Sequence, residues 1–409
     1  MDNLLLLVHR IPYPPNKGDK IRSYHLFKHL AQHYRVHLAT FVDDEDDWQH
    51  VPRLEAMAAS CHFAPLNTRM ARVRSLGALL GNRSLSLDYY RDAGLRRWVE
   101  ETVRREGITR IVVFSSAMAQ YAEAYPDATR VVDFVDVDSD KWRQYAEKKS
   151  WPMSMLYAHE ARQLLAYERH VASSCDAALF VSAPEAELFR ALAPESAARI
   201  GHFSNGVDTV FFSPDGAYPD PYAVQAGQPA VQALVFTGAM DYWPNIDAVT
   251  WFAEEVLPAV RLRHPQAVFY IVGARPASEV QQLASLPGVV VTGTVPDVRP
   301  YVAHAALCVA PLRIARGIQN KVLEAMAMAR TVVVSPQALE GIEATPGREL
   351  LLAADAAAFI AAVNQALDAP QPAMGQAARA AVEQLYGWNS HLSQVCALLE
   401  ADRPVRKEA

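Results

Sequence analysis

A short stretch in the second half of the sequence combines basic residues and a glycine at spacings that suit an anionic ligand. Gly317 allows a ligand to approach the backbone closely, and the free N–H groups of a helix that begins near Ile318 favour an anion. Arg313, Arg316 and Lys321 surround this point and could neutralise a diphosphate, the arginines through bidentate hydrogen bonds. The pattern therefore predicts a phosphate site at the start of a helix.

A carboxylate lies one helical turn beyond the predicted phosphate site. Asn320, Lys321 and Glu324 share one face of the helix because they are spaced three and four residues apart. From this position, Glu324 could accept hydrogen bonds from the hydroxyl groups of a ribose. An ordinary amphipathic helix with surface charges would explain the same residues about equally well.

A second candidate site follows the first predicted strand, in a loop that three prolines stiffen. Gly18 lets the backbone come close to a ligand, and Asp19 stands beside it at the start of a predicted helix, residues 21–33. If the first strand is central, this helix start could contact either of two substrates of a group-transfer reaction, namely the phosphate of the group donor or the group acceptor. The alternative is that Asp19 caps the helix while Lys17, Lys20 and Arg22 are solvated.

A third candidate is an acid-rich run at the end of another predicted strand. Asp136 and Asp138 match the DxD pattern with which GT-A glycosyltransferases hold a divalent metal, although this triplet arises often by chance. Asp138 or Ser139 is also an adequate helix N-cap. We therefore interpret Asp136 and Asp138 as acids at the edge of a binding crevice that contact an acceptor, one of them as a general base.

The elements that must position these residues are short apolar runs, which alternate with longer segments of helical periodicity. Near-continuous apolar runs predict parallel strands covered on both faces, and the alternation predicts two open α/β sheets. The predicted strands are Leu4–His9, Val36–Phe41, Ile111–Phe114, Arg130–Phe134, Ala177–Val181, Ala233–Thr237, Ala267–Val272, Val289–Val291, Leu307–Ala310, Thr331–Val334 and Leu350–Leu352.

The length of 409 residues favours two domains, and the turn signal at Asn205 and Gly206 marks the boundary between them. We predict Rossmann-like domains at residues 1–205 and 206–385, and a C-terminal helix, residues 386–409, that returns to the first domain. We expect the two parallel sheets to face each other across a crevice, with ligands at the carboxyl ends of the strands.

Composition narrows the choice of function. The net charge of −6 gives no reason to expect nucleic-acid binding. The apolar N-terminus is too short to cross a bilayer. We interpret the histidines as having neither an HxxxH nor an HExxH metal-binding spacing, so we expect no metal and no cofactor. The segment Met70–Leu80 and three nearby arginines could rest on a membrane surface, although such a segment is more often a solvated helix. The scattered cysteines, which fit free thiols in a reducing cytoplasm, are Cys61, Cys175, Cys308 and Cys396.

The helix that carries Glu324 and the residues after it resemble the donor site of GT-B glycosyltransferases of family 4. The matching segments are Asn320–Ala327, Thr331–Val334 and Leu339–Ile342. The family carries a Glu-x7-Glu motif here, and its second glutamate, which matches Glu324, binds the ribose of the nucleotide. The first glutamate falls on Arg316, so the usual sugar contact is missing.

The resemblance extends over nearly the whole chain. The turns at Gly238, Gly273 and Val295 resemble those that open the C-terminal domain and flank the nucleotide base. The family often has Arg and Lys after the first turn, but this sequence reads Trp243–Ile246, so we infer that the basic residues near Gly317 contact the phosphates instead. The loop of residues 10–22 resembles that of the exopolysaccharide sugar transferases associated with the PEP-CTERM/exosortase system.

The resemblance implies a nucleotide-sugar donor, a glycan or lipid-linked acceptor, and retention of anomeric configuration. It also implies synthesis of exopolysaccharide or another cell-surface glycan in the cytoplasm, with possible peripheral contact with the inner membrane. The predicted catalytic residues are Arg316, Lys321, Asp136 and Asp19. The predicted donor contacts are Glu324, Arg313, Gly317, Ile318, Asn320, Gly238, Met240, Gly273, Arg275, Val295 and Gly18.

Three other functions compete with sugar transfer. An NAD-dependent oxidoreductase would need a GxGxxG turn after the first strand, and residues 10–15 contain none. A nucleotide-sugar epimerase shares the GT-B fold and would turn over its substrate without an acceptor. A non-catalytic sugar-nucleotide-binding protein stays open because Arg316 replaces the first motif glutamate.

Overall fold

The computed structural model describes residues 1–15, 18–223, 230–315 and 318–401. The chain divides into two compact units. The first unit comprises residues 1–205 and the segment that begins at His391, and the second comprises residues 206–390. Each unit is built around one parallel sheet, as the alternation of apolar runs and helices predicts.

The first unit contains seven strands in the order β3-β2-β1-β4-β5-β6-β7, and all neighbouring strands are parallel. These strands are β1 Asn3–Val8, β2 Arg35–Val42, β3 Ser60–Pro65, β4 Arg110–Phe114, β5 Thr129–Val135, β6 Ala177–Phe180 and β7 Ile200–His202. The helices between them are α1 Gly18–His33, α2 Val51–Glu55, α3 Thr68–Ser75, α4 Leu85–Tyr89, α5 Ala93–Glu106, α6 Asp138–Lys148, α7 Met153–Ser174 and α8 Ala183–Leu192.

The second unit contains six strands in the order β10-β9-β8-β11-β12-β13, again all parallel. These strands are β8 Gln232–Thr237, β9 Ala267–Val272, β10 Val289–Gly293, β11 Leu307–Ala310, β12 Val332–Val334 and β13 Leu351–Leu352. Its helices are α9 Trp243–Trp251, α10 Leu257–Arg263, α11 Ser278–Gln282, α12 Arg299–Ala303, α13 Asn320–Ala327, α14 Pro336–Leu339, α15 Ala356–Asp368 and α16 Pro372–Leu385. The last helix, α17, is Trp388–Glu400, and no helix of the described chain is long and apolar enough to cross a membrane.

Two buried ion pairs attach the first helix to its surroundings. Arg22 is fully buried and donates to both carboxylate oxygens of Asp133 in β5, at 2.7 and 3.1 Å. Lys20 is also buried, and its Nζ lies 2.5 Å from the carboxylate of Asp47. The alternative in which Lys20 and Arg22 are solvated is therefore wrong. These cations hold α1 in place, and α1 begins three residues earlier than the predicted residue 21.

The apolar runs predict the central strands within one or two residues, but two edge strands are missing from the prediction. β3 includes Cys61 and His62 and is mostly half-buried, whereas β7 has only three residues. An edge strand pairs on one side only and needs no continuous apolar run, so its sequence signal is weak.

Candidate functional site

Both sheets have the strand order of a Rossmann fold, which fixes where a ligand is expected to bind. In each unit, the strand order reverses direction between the first strand and the fourth, that is between β1 and β4 and between β8 and β11. The crevice outside the carboxyl ends of these strands is the usual ligand site of such sheets. In the second unit, it lies between the turn after β8 and the loop that leads from β11 to α13.

Two glycines make the turns after β8 and β9. Gly238 and Gly273 have φ angles of 157° and 158°, which side chains rarely adopt. A Cβ atom on Gly273 would lie 1.6 Å from the carbonyl oxygen of Gly238, so the two turns pack backbone against backbone. Both predicted donor contacts therefore lie at positions where only glycine fits.

Asn245, in the first turn of α9, connects the first glycine turn to α13. Its side chain is 4 % exposed. The Asn245 amide nitrogen donates to the Ala239 carbonyl oxygen at 2.9 Å, and its amide oxygen accepts from Lys321 Nζ at 3.0 Å. The site residues predicted from the sequence did not include Asn245. The one available signal was that it stands where the resembling family often has basic residues.

Lys321 and Glu324 are both half-buried on one face of α13. Burial lowers the pKa of Lys321 to about 8 and raises the pKa of Glu324 to about 7, although each charge partly opposes the shift of the other. The two side chains form no ion pair with each other, and within the described residues Asn245 is the one hydrogen-bond partner of Lys321. The ammonium group also lies 5.0 Å from the ring centre of Phe236. A half-buried cation and a half-buried carboxylate without full partners leave bonding capacity for a ligand.

Arg313 was predicted to contact a diphosphate, but in the structure it is paired with an acidic residue. Its guanidinium group donates to both carboxylate oxygens of Asp247 in α9, with Nε at 2.9 Å, and this ion pair raises its pKa. The side chain is half exposed, so the ion pair is screened by water. Two predicted residues of the same loop, Arg316 and Gly317, lie outside the described residues.

The other predicted donor contacts of the second unit differ in how far they are buried. Met240 is fully buried, and its backbone N–H and C=O are bonded to Ala274 and Ala277, so its side chain belongs to the core. Arg275 is exposed and paired with Asp241 at 2.6 Å. The residues that are partly buried at the edge of the unit are Val295, Ile318 and Asn320.

In the first unit, the start of α1 is held by a network of charged groups. Gly18 and Asp19 open the helix, as predicted, and the Asp19 carboxylate accepts from Arg10 at 2.9 Å. Arg10 also bonds Asp43 at 3.0 Å. Burial alone would raise the pKa of Asp19, but a hydrogen bond from His9 and the charges of His9 and Arg10 lower it well below its usual range. Asp19 is therefore a paired carboxylate at neutral pH.

The DxD acids follow a strained stretch at the end of β5. Val135 has φ +69°, which is unusual for a β-branched residue, and lies next to an irregularity in the β5–β6 register. Lys141 Nζ bonds Asp136 at 2.7 Å and Asp138 at 3.2 Å. Burial of Lys141 opposes its charge, but these two acids raise its pKa. Both predicted acids are thus paired with a single cation, Lys141 of α6.

The sequence of the second unit matches one known family. Residues 231–369, which include Asn245, Lys321 and Glu324, match the sequence profile described as Glycosyl transferases group 1. The enzyme class predicted from the sequence, a glycosyltransferase, agrees with this domain. No curated protein matches the chain.

Several solved structures share the whole fold. Sucrose-phosphate synthase from Thermosynechococcus elongatus has 18 % identity, a TM-score of 0.64, and coverage of 97 % of this chain and 98 % of its own. HepE of Anabaena in complex with UDP has 16 % identity, a TM-score of 0.64, and coverage of 98 % and 99 %. A glycosyltransferase from Rickettsia africae has 12 % identity, a TM-score of 0.64, and coverage of 98 % of both chains. At these identities, the similarities establish the GT-B fold with its two Rossmann-like domains.

Proposed function

We propose that this chain, which contains a group 1 glycosyl transferase domain, transfers a sugar from a nucleoside-diphosphate sugar to an acceptor hydroxyl. The observation that carries the proposal is the pair of Lys321 and Glu324 on α13, beside the point where the strand order of the second sheet reverses. This pair offers a cation and a carboxylate that are not bonded to each other. A nucleotide sugar brings both complementary groups, an anionic diphosphate and a ribose with two hydroxyls.

The proposed donor contacts follow from this arrangement. Glu324 accepts hydrogen bonds from the ribose hydroxyls, and Lys321 donates to the diphosphate together with the backbone N–H groups at the start of α13. We propose that the backbone of the turns at Gly238 and Gly273 lies beside the phosphates. The space left by their missing side chains is filled by the Asn245 amide and by the Gly238 carbonyl oxygen, which brings the turn after β8 close to Lys321. Asn245 positions Lys321 through its 3.0 Å hydrogen bond.

The proposed chemistry is stabilisation of the departing diphosphate. Charge develops on this leaving group as the glycosidic bond breaks, and a preorganised cation such as Lys321 stabilises it most in the transition state. Arg313 and Arg316 would add positive charge from the same loop, Arg313 after release from Asp247. We propose that the transfer needs no metal and retains the anomeric configuration, the latter on the family resemblance.

The acceptor side of the proposal rests on the first unit. We propose that Asp136, beside Asp138, and Asp19, beside Gly18, contact the acceptor at the carboxyl edge of the first sheet. Because Asp136 and Asp138 share the cation of Lys141, an arriving acceptor hydroxyl would have to compete with that lysine. One of these acids would then serve as the general base.

The direct test is a donor screen followed by a transfer assay. UDP-, GDP- and ADP-sugars are compared by thermal shift, with UDP-glucose first because HepE was solved in complex with it. A donor that stabilises the chain is then incubated with and without glycan or lipid-linked acceptors. Transfer only with acceptor supports the proposal. Isomerised nucleotide sugar without an acceptor would identify an epimerase, and binding without turnover would identify a binding protein.

We further propose that the chain works in cell-surface glycan synthesis at the cytoplasmic face of the inner membrane, in the exopolysaccharide subgroup that its first loop resembles. The support is the surface of α3 and the 3-10 turn after it, Leu76–Gly81. Its inward side chains are small, namely Ala71, Ser75 and Ala78. Its exposed side chains include large apolar ones, namely Met70, Val73, Leu76 and Leu79.

The charge around this apolar surface favours an anionic lipid membrane. Residues 66–87 contain four arginines and no acidic residue, in a chain whose net charge is −6. Arginines beside an apolar surface can bind lipid phosphates while their stems lie along the acyl chains. A surface of this kind is typical of a helix that lies in the membrane interface.

Vesicle co-sedimentation tests the membrane contact separately from sugar transfer. The wild-type chain should bind vesicles that contain phosphatidylglycerol and not vesicles of phosphatidylcholine alone. The double variant Arg69→Glu with Arg72→Glu should lose most of this binding. A matched charge reversal on α5, Arg97→Glu with Arg104→Glu, should keep it. Equal binding by both double variants would contradict the contact, and transfer to a soluble acceptor should not change in either.

A further inference from the structure

Two histidines and a cysteine of the first unit lie together at the C-terminal end of α1. His29 and His33 stand four residues apart on one face of α1, and their ring centres are 4.8 Å apart. Cys396 of α17 lies beside them, and one donor atom from each of the three residues lies within 4.8 Å of the others. Asp19 is at the opposite end of α1, about 15 to 20 Å away along the helix.

We propose that His29, His33 and Cys396 form a binding site for a divalent metal ion of the zinc class. Two imidazoles and a thiolate are the donor set that Zn²⁺ prefers over the oxygen-seeking Mg²⁺ and Ca²⁺. Zn–N bonds of about 2.0 Å and Zn–S bonds of about 2.3 Å require the donors to be roughly 3.5 Å apart in a tetrahedral site. From the present separation of at most 4.8 Å, the three donors must therefore move about 1 Å closer together to bind the ion.

The surroundings of the three donors suit a bound cation. His29 is buried and His33 is exposed, so an ion can enter from the solvent side while the inner imidazole is fixed by packing. Glu400 lies one turn beyond Cys396 on α17, and its carboxylate accepts a hydrogen bond from Tyr34 at 3.1 Å. This places a negative charge close to the site. The fourth coordination position is left to water or to a small movement of Glu400.

The proposed metal would have a structural effect because its ligands come from two helices that are distant in sequence. α1 lies near the start of the chain, and α17 is its last helix. Apart from packing, α17 is held to the first unit by bonds such as that from Arg110 to the Leu399 carbonyl oxygen at 3.2 Å. A metal that binds only the folded chain raises the stability of that state and joins α17 to α1. The proposed metal is therefore structural, and it is separate from the sugar transfer, for which we propose no metal.

The spacing of His29 and His33 was present in the sequence. The expectation of no metal rested on the absence of both HxxxH and HExxH spacings, and the first part is wrong because His29 and His33 have the HxxxH spacing. Cys396 could not be added from the sequence because it follows His33 by more than 360 residues. Only the fold brings the thiol to the two imidazoles.

Metal titration of the untagged full-length chain tests the proposal. The protein is stripped with a chelator and titrated with ZnCl₂ by calorimetry and with CoCl₂ by absorption spectroscopy. One equivalent of metal should bind, and Co²⁺ should produce a thiolate-to-metal charge-transfer band with tetrahedral ligand-field bands. Binding of less than one equivalent, or a Co²⁺ spectrum without the thiolate band, would overturn the proposal.

Substitutions assign the ligands. Cys396→Ser should abolish the charge-transfer band, and His33→Ala should weaken Zn²⁺ binding at least tenfold while leaving the fold intact, because His33 is exposed. The matched controls Cys61→Ser and His170→Ala should bind as the wild-type chain does. Zn²⁺ should raise the melting temperature of the wild-type chain and of both controls but not of Cys396→Ser. If Cys396→Ser and His33→Ala bind metal with wild-type affinity, the assignment is wrong.

Discussion

The charged residues at the carboxyl edges of the two sheets are arranged in opposite ways. In the first unit, Lys141 is bonded to Asp136 and Asp138, and Asp19 is bonded to Arg10. In the second unit, Lys321 and Glu324 lie one turn apart and are not bonded to each other. Pairing raises the pKa of Lys141, whereas burial lowers the pKa of Lys321 to about 8.

This difference separates a stabilised charge from one that is available to a ligand. A cation that already has two carboxylate partners gains little from a phosphate, because it must first give them up. Lys321 is a half-buried cation whose hydrogen-bond partner is an amide, so it gains a charge–charge interaction when an anion binds. The comparison therefore favours donor binding by the second unit. Substitutions test this contrast at four residues, namely Glu324, Lys321, Asn245 and Asp136.

The largest effect is expected at Glu324. Glu324→Ala removes charge-assisted hydrogen bonds to the ribose, each worth about 1.5–3 kcal/mol, so donor affinity should fall roughly 10- to 100-fold. Calorimetry with the donor that stabilises the wild-type chain measures this loss. Glu324→Gln, which keeps one acceptor oxygen, should lose less than Glu324→Ala. The exposed Glu279→Ala is the control, and unchanged affinity in Glu324→Ala would remove Glu324 from the site.

The next effect is the pH dependence of donor affinity. The Glu324 carboxylate forms as pH rises through about 7, which strengthens ribose binding, and Lys321 loses its proton as pH rises through about 8, which weakens diphosphate binding. Affinity should therefore peak between about pH 7 and 8 and fall about tenfold by about pH 9. An intact nucleotide sugar is the right probe because its diphosphate does not titrate in this range.

Lys321→Gln checks which group controls the alkaline side of this profile. The variant has no ammonium group to titrate, so its affinity should be lower at neutral pH and flat above pH 8. The fall on the acidic side should stay but move to higher pH, because Lys321 no longer lowers the pKa of Glu324. A tenfold fall in Lys321→Gln above pH 8 would assign the alkaline titration to another group.

Asn245→Asp converts the second unit to the paired arrangement of the first. The new carboxylate would accept from Lys321 where the amide does now, raise its pKa and compete with the diphosphate. Donor affinity at pH 7.5 should fall about 3- to 10-fold, and the alkaline decline should move to higher pH. Asn245→Ala is the matched variant, which should weaken binding without that upward move. An Asp variant with wild-type affinity would show that pairing of Lys321 does not matter.

These residues also show how far the sequence predicts the site. Lys321 and Glu324 were predicted because helical spacing places neighbours of one segment on one face, whatever the rest of the chain does. Asn245 was missed because it lies 76 residues from Lys321. An asparagine near the start of a helix has no sequence feature that marks it as part of a binding site. Arg313 was predicted as free for the same reason, since Asp247 is 66 residues away.

In the fold, too, features that depend on neighbouring residues were predicted, and features that depend on residues far apart in sequence were not. The central strands follow directly from continuous apolar runs, which can only be buried. The burial of Lys20 and Arg22 does not, because a cation near a helix start is solvated unless a distant acid such as Asp133 meets it. Pairing between elements that are far apart in sequence is therefore the information that a single sequence lacks.

The smallest effect on donor affinity is expected at the acids of the first unit. Asp136→Asn removes one of the two carboxylates that share Lys141, and both groups are partly exposed, so the free energy of unfolding should change by no more than about 1 kcal/mol. Donor affinity should stay within about twofold of wild type, while transfer to the acceptor falls. In the Cys396→Ser variant, which lacks the proposed zinc site, a chelator should leave both donor affinity and the rate of transfer unchanged, because Lys141 already occupies the place that a metal would take between Asp136 and Asp138. If Asp136→Asn and the chelator each abolish donor binding, the two acids hold a metal for the diphosphate. The charged residues of the first unit, and not those of the second, would then bind the donor.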